Sequence, residues 1–170
     1  PQKDIFKKIK LKYRNNKKII ILNHAISDKN MHRNIFINYH DLTSSLTKFN
    51  YNNNYLKIKS KIFNTTPHGM IKEKLTIKTI KMSTLLSKKN ITNVDLIKID
   101  TEGHELEVLK GMGEKIKIIK NILIEFHNDK IFKGYNPKKV HQYLVKNNFI
   151  LLKTFKFPFT TWEDRFYKKK

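Results

Sequence analysis

The segment Val94-Asp-Leu-Ile-Lys-Ile-Asp100-Thr-Glu102-Gly103-His-Glu105-Leu-Glu-Val-Leu-Lys-Gly111 restricts the fold more than any other part of the chain. Val94, Leu96, Ile97 and Ile99 form a nearly unbroken apolar run, the pattern of a strand covered on both faces. The run stops at Asp100. Gly103 allows a sharp turn. Glu105 opens a helical pattern with Leu106, Leu109 and Met112 on one side, and Gly111 reads as the helix stop. In open parallel sheets, chemistry gathers just beyond the carboxyl ends of strands, so carboxylates concentrated at such a point carry information.

A second segment, Asn121-Ile-Leu-Ile-Glu125-Phe-His127, is again a short apolar run ending in polar groups. Period-two alternation puts Leu123, Glu125 and His127 on one face. If the two strands are parallel neighbours, Asp100 and Glu125 share one edge of the sheet, with His127 close by.

The remaining pattern alternates helix and strand. Asp4 to Asn16 is expected to be helical, with Ile5, Phe6, Ile9 and Tyr13 near one face. Lys18 to Leu22 reads as a buried strand running on to Ile26, and Ser27 to Asn30 as a turn. Asn34 to Tyr39 alternates weakly, as a short antiparallel strand would. Asp41 to Tyr55 is polar and reads as a loop. Lys57 to Phe63 and Lys74 to Met82 each alternate, which predicts strands. Ser83 is expected to cap a short helix through Lys89. Asn136 followed by Pro137 starts a helix that Asn147-Asn148 ends. Phe149 to Phe157 and Arg165 to Lys169 are the last strands. The expectation is one α/β domain over residues 1–170, with a mostly parallel sheet and an antiparallel C-terminal strand.

Composition excludes several classes. At 170 residues, with 39% hydrophobic and 11% aromatic side chains, the chain can build a core. It has no cysteine, so disulfides and thiolate metal sites are excluded. No apolar run approaches the ~20 residues of a membrane span, and no signal peptide is visible, so a cytoplasmic location is expected. Asn64-Thr-Thr66 and Asn90-Ile-Thr92 match the glycosylation pattern by chance on this view. The net charge of +22 and pI near 10.0 invite a nucleic-acid reading. Against it, Arg14, Arg33 and Arg165 are the only arginines among 36 basic residues, leaving 33 lysines. Arg is the usual reader of phosphate and guanine. The lysines are spread along the whole chain, and the abundance of Lys, Asn and Ile is the protein image of an AT-rich genome. No specific nucleic-acid partner is expected. Nothing in the pattern fixes an oligomeric state.

The motifs taken together resemble those of FkbM-type methyltransferases. Ile97-Lys-Ile-Asp100-Thr-Glu102-Gly103-His-Glu105, followed by Val108-Leu-Lys-Gly111, is similar to the family signature. Ile122-Leu-Ile-Glu125-Phe-His127 agrees with it in spacing and order. Asn23-His-Ala25-Ile26-Ser27-Asp28 resembles the family's strand end and turn where adenine binds, and Ser44-Ser45-Leu46 is a weaker match. Pro1 before a helix fits as well. The resemblance implies a Rossmann-like fold, S-adenosylmethionine as cofactor, and O-methylation of a sugar, glycan or secondary-metabolite hydroxyl. It also implies that a first strand, a glycine-rich loop and a ribose-binding acid precede Pro1, so an N-terminally incomplete domain is expected.

Methyl transfer to a hydroxyl requires the methyl to face the oxygen within near-attack distance, and a group to take the proton. Asp100 is placed to orient the cofactor or accept that proton; Glu125 and His127 are the alternatives for the base. The resemblance carries cofactor contacts onto Ala25, Ile26, Ser27, Asp28, Asp100 and Glu102, and acceptor contacts onto Ser44 and Ser45. Plainer roles stand beside these. A strand-end carboxylate also caps a helix or pairs with Lys98, and Glu102 and Glu105 suit a helix start through the dipole alone. His104 is expected to be exposed. Asp100, Glu125 and His127 are also a carboxylate–imidazole set suited to a hard divalent metal, yet no spacing demands one and a metal is not favoured. Two other classes stay open: a catalytically inactive Rossmann-like binding module and a basic nucleic-acid-binding domain.

Overall fold

The computed structural model describes residues 1–38 and 44–170. A helix α1 (Lys3–Lys12) leads to β1 (Ala25–Ile26), β2 (Met31–Asn38) and β3 (Ser44–Ser45). Then come α2 (Asn54–Ile62), β4 (Ile71–Ile80), α3 (Met82–Lys88), β5 (Val94–Ile99) and α4 (Glu105–Lys110). A 3-10 turn over Gly113–Ile118 feeds β6 (Ile119–His127), followed by α5 (Pro137–Lys146), β7 (Phe149–Lys156) and β8 (Trp162–Lys169).

The strands form two four-stranded sheets, ordered β1-β4-β2-β3 and β5-β6-β8-β7. In the second, β5 and β6 are parallel, while β8 runs antiparallel to both β6 and β7. Three of its strands therefore share one direction. The first sheet departs from the expected mostly parallel arrangement. Among the described residues its only parallel pairing is β1 with β4, and β2 is antiparallel to both β3 and β4. The difference lies in the connections: β2 to β4 runs through α2 and needs no return crossover to the same end.

The main core lies on the second sheet. Ile99, Ile122, Ile124 and Phe126 meet Leu109 and Met112 of the α4 region and Val140 and Leu144 of α5. Burying Val140 and Leu144 contributes about 3–6 kcal/mol. That exceeds what a ten-residue helix gains from propensity, since isolated helices of this length are marginal. Asn136 starts α5 as its sequence suggests, its side chain accepting from the Lys138 and Lys139 amides.

Several local expectations need correction. Residues 57–62 lie in helix α2, with Phe63 just past its end, and not in a strand. Asn53 caps it by accepting from the Leu56 amide at 3.0 Å, and Leu56 and Ser60, one turn apart, face inward. The apolar alternation there comes from Ile58 and Ile62, which are exposed. The expected strand over 18–22 does not form: only Ala25 and Ile26 pair with a neighbour, and Ile19, Ile20 and Leu22 stay exposed. α1 ends at Lys12 and buries no side chain. Lys81 stands at the start of α3 without a side-chain cap, and Ser83 lies inside the helix. The loop expected over 41–55 contains β3 and the start of α2, while Tyr39 and residues 41–43 lie outside the described residues.

Short contacts join the two sheets. Ser45 Oγ donates to the Glu102 carbonyl at 2.5 Å and Thr47 Oγ1 to that of Gly103 at 2.9 Å. Phe49 bridges antiparallel to Phe132. The segment after β3 is thereby laid across the acidic turn. No helix among the described residues is long and apolar enough to cross a membrane.

Candidate active site

Parallel pairing of β5 and β6 sets Ile99 beside Ile124. The next residues, Asp100 and Glu125, therefore come together where β5 ends. Burial and then the charge of Glu125 raise the Asp100 carboxyl above its ordinary range, against the pull of Lys98, whose Nζ lies 3.7 Å away. Lys98 is shared with Asp164 at 2.6 Å.

Alternation along β6 carries His127 to the same side. Its Nε2 lies 3.0 Å from Glu125 Oε2 and 3.8 Å from Glu102 Oε2. The closer approach is out of hydrogen-bonding alignment, and both atoms are buried without a hydrogen-bond partner. Their proximity still acts through charge. Burial works to raise Glu125, but His127 outweighs it and the carboxyl sits below its usual range. Burial works to lower His127, and Glu125, Glu105 and Glu102 together raise it. Glu102 is pushed up to about 7, first by burial and then by Glu125, Asp100 and Glu105, with His127 opposing.

The turn holding Glu102 has no room for variation. Glu102 and Gly103 both have positive φ, +54° and +83°. A Cβ on Gly103 would stand 2.4 Å from the Phe132 ring. Glu105, fully buried, closes the turn: its Oε1 accepts from the Thr101 amide (3.0 Å), the Thr101 hydroxyl (3.1 Å) and the Gly103 amide (3.2 Å). Its place at a helix start was legible; its role as the internal brace of the turn was not.

The sequence profile of the methyltransferase FkbM domain matches residues 1–151. The chain belongs to the FkbM methyltransferase family. The hexuronic acid methyltransferase AglP of Haloferax volcanii is 37% identical over 70 residues, covering 41% of this chain and 27% of that protein. The match thus spans about a quarter of that relative's length. No solved structure matches the chain.

In this FkbM domain the expected cofactor-side residues lie beside the acidic turn. Ala25 and Ile26 form β1 and are half-buried. Ser27 is fully buried, and a Cβ on Gly111 would reach 2.1 Å from its carbonyl oxygen, so β1 and the end of α4 touch through backbone. Ser27 Oγ donates to Asp28 Oδ1 at 2.9 Å, and Asp28 is held by Arg33 at 2.6 Å. Having given its one proton away, Ser27 Oγ accepts from His104 Nε2 at 2.9 Å. Ser44 accepts from Gln2 at 2.9 Å, and Ser45 is buried as a brace of the Glu102 backbone. Neither lines the two cavities beside His127.

His104 corrects an expectation, being only 4% exposed. It sits among Ser27, Thr47, Asp28, Arg33 and Glu107, the last 3.8 Å from Nδ1. Burial first, and Arg33 second, hold it down to about 4. The fold therefore keeps the neutral ring, while the unfolded chain takes up a proton as pH falls through about 6.5. The contribution of His104 to stability is fully present above that value and declines toward pH 4, by about 3 kcal/mol. Over the same range Glu102, pushed up to about 7, acts in the opposite sense, so the readout is a difference: on going from pH 7 to pH 4 in urea unfolding, the parent should lose about 3 kcal/mol more than His104→Gln. Equal losses in the two would exclude His104 as the source.

Two cavities flank His127 in the FkbM domain. One, about 200 Å³, reaches Glu102 and Glu125 past Leu56, Met70 and Trp162. The other, about 800 Å³, runs outward past Phe49, Tyr51, His68, Phe132 and Tyr135. Lys130, Lys133 and Lys138 stand along it. Tyr51 and His68 stack at 3.7 Å. These lining residues escaped the sequence reading, because they lie in polar or irregular stretches with no period to mark them.

Proposed function

We propose that this domain carries out S-adenosylmethionine-dependent methylation of a sugar hydroxyl, with an acidic sugar as acceptor. One observation carries the reading: Glu102 and Glu125 line a small cavity that meets, at His127, a large one with aromatic walls and lysines beside it, while Asp100 stands against Glu125 outside both linings. Sugars lay their apolar faces on aromatic rings, and lysines suit a sugar carboxylate. The partial match to a protein named for hexuronic acid methylation agrees with this. The order β5-β6-β8-β7, with an antiparallel strand inserted before the last, supports a Rossmann-like arrangement.

S-adenosylmethionine supplies an electrophilic methyl on a sulfonium cation. An acid-rich sheet end suits that cation, so the residues present fit the group. Ala25 and Ile26 would offer backbone and shape to adenine. The side chains of Ser27 and Asp28, engaged with His104 and Arg33, would fix the turn. Asp100 is half-exposed beside the site, and its raised proton affinity makes it a better base than a free carboxylate. Glu125 and His127 are the alternatives. Positive charge is lost from sulfur in the transition state, so carboxylates left uncompensated would favour the ground state. The pairing of Glu125 with His127 reduces that excess.

The test is transfer of labelled methyl from S-adenosylmethionine to a panel of neutral and uronic-acid glycans, with calorimetric titration of S-adenosylhomocysteine alongside. Labelled methyl on a sugar hydroxyl, with uronic acids preferred, is expected. No heat and no transfer would overturn the reading; heat without transfer would leave an inactive binding module.

A further inference from the structure

We propose that Glu102, Glu125 and His127 form a binding site for one divalent transition-metal cation of the manganese or zinc type. The argument rests on side-chain geometry and not on the proposed methyl transfer. One donor atom from each residue lies within 4.8 Å of the others. His127 Nε2 is 3.0 Å from Glu125 Oε2 and 3.8 Å from Glu102 Oε2. Donors about 2.1 Å from a shared cation stand roughly 3 Å apart at right angles and at most about 4.2 Å apart. Two of the three separations already meet that limit, and the third lies within 4.8 Å, close enough for a side-chain adjustment of the partly exposed Glu102 to complete the set.

An independent observation separates this cluster from an ordinary group of acids. His127 is 6% exposed and Glu125 8%, and His127 Nε2 and Glu125 Oε2 are both buried without a hydrogen-bond partner. The two atoms face each other at 3.0 Å as an ion pair, yet neither has an aligned hydrogen bond, which is unusual for buried polar atoms. The ring cannot swing away to find a partner. Phe132 and Tyr135 meet it edge-on, at 4.8 Å and 5.7 Å between ring centres. A cation between the three residues satisfies both atoms.

Charge and donor type narrow the ion. Two carboxylates neutralise a dication, and a neutral imidazole completes the set. A mixed oxygen and nitrogen set suits Mn²⁺ or Zn²⁺ better than Ca²⁺ or Mg²⁺, which prefer oxygen alone. Three protein donors leave coordination positions facing the cavity of about 200 Å³. Oxygen atoms of water or of an acceptor sugar fit there. Within the proposed reaction, Glu125 and His127 then serve as ligands, and Asp100 remains to take the hydroxyl proton. A chain of net charge +22 repels cations in general, so specific binding stands out.

The test is titration of Mn²⁺ into the chelator-treated full chain, with free Mn²⁺ read by electron paramagnetic resonance. One Mn²⁺ per chain is expected, displaced by Zn²⁺ and not by millimolar Mg²⁺. His127→Ala, Glu125→Gln and Glu102→Gln should each weaken it by about 10-fold or more. Glu114→Gln, at an exposed pair with Lys117, should leave it unchanged. Circular dichroism checks folding; if the buried variants unfold, Glu102→Gln decides. No stoichiometric Mn²⁺, or equal affinity in Glu102→Gln and parent, overturns the proposal. S-adenosylhomocysteine titration of the same sample keeps the two readings apart. Cofactor heat without Mn²⁺ binding sinks the metal site alone, and Mn²⁺ binding without cofactor heat supports it while counting against methyl transfer.

Discussion

Exchange of Asp100 for asparagine is expected to slow methyl transfer by about 10²–10⁴-fold. Folding stability should change by no more than about 1 kcal/mol. The side chain is nearly half exposed and its ion pair with Lys98 is long at 3.7 Å, an interaction worth little at a surface. The amide keeps the shape of the carboxyl and removes its ability to take a proton. Steady-state kinetics separate the two roles open to Asp100. Loss of kcat with unchanged KM marks a proton acceptor, whereas a raised KM for S-adenosylmethionine marks a group that holds the cofactor. Parent-like turnover would remove Asp100 from the mechanism.

Gly103→Ala is expected to destabilise the fold by about 2–5 kcal/mol. Two costs combine. An L side chain at φ +83° costs about 1–2 kcal/mol. Forcing a Cβ against the Phe132 ring adds about 1–3 kcal/mol, because the ring is already held between Phe49 and His127. Gly134→Ala is the control. Its φ is +80°, but the added carbon meets nothing within 4 Å, so it reports the backbone cost alone. Denaturant unfolding of both variants reads out the difference; equal losses would show that Phe132 yields without cost. The effect should extend to function, since Phe132 lines both cavities and Gly103 follows Glu102.

The strand–turn–helix at 94–111 was legible because three signals coincide there: a nearly unbroken apolar run, a glycine at the turn and a helical period after it, although Leu96 is exposed and the strand is not covered on both faces as expected. The meeting of Asp100 and Glu125 followed from one further assumption, parallel pairing, which the register bears out. Asn136 was equally plain, as a capping residue before a proline. Elsewhere local signals misled. Alternation over 57–63 came from lysines and exposed isoleucines, while the helix was set by Asn53 and the inward spacing of Leu56 and Ser60. The apolar run at 18–22 had the composition of a strand but no described neighbour to pair with. His104 was hidden for another reason. Its burial depends on Ser27 and Thr47, 77 and 57 residues away in the chain, and no local window contains them.

β8 follows β5, β6 and β7 in the chain, yet it lies between β6 and β7. Ribosomal synthesis therefore delivers a central strand after its flanking ones. Until Trp162 to Lys169 emerge, β6 presents an unfilled edge carrying Glu125 and His127, and β7 has no partner within its sheet. Nascent chains that stall before this point expose a sticky ribbon prone to mispairing with its neighbours.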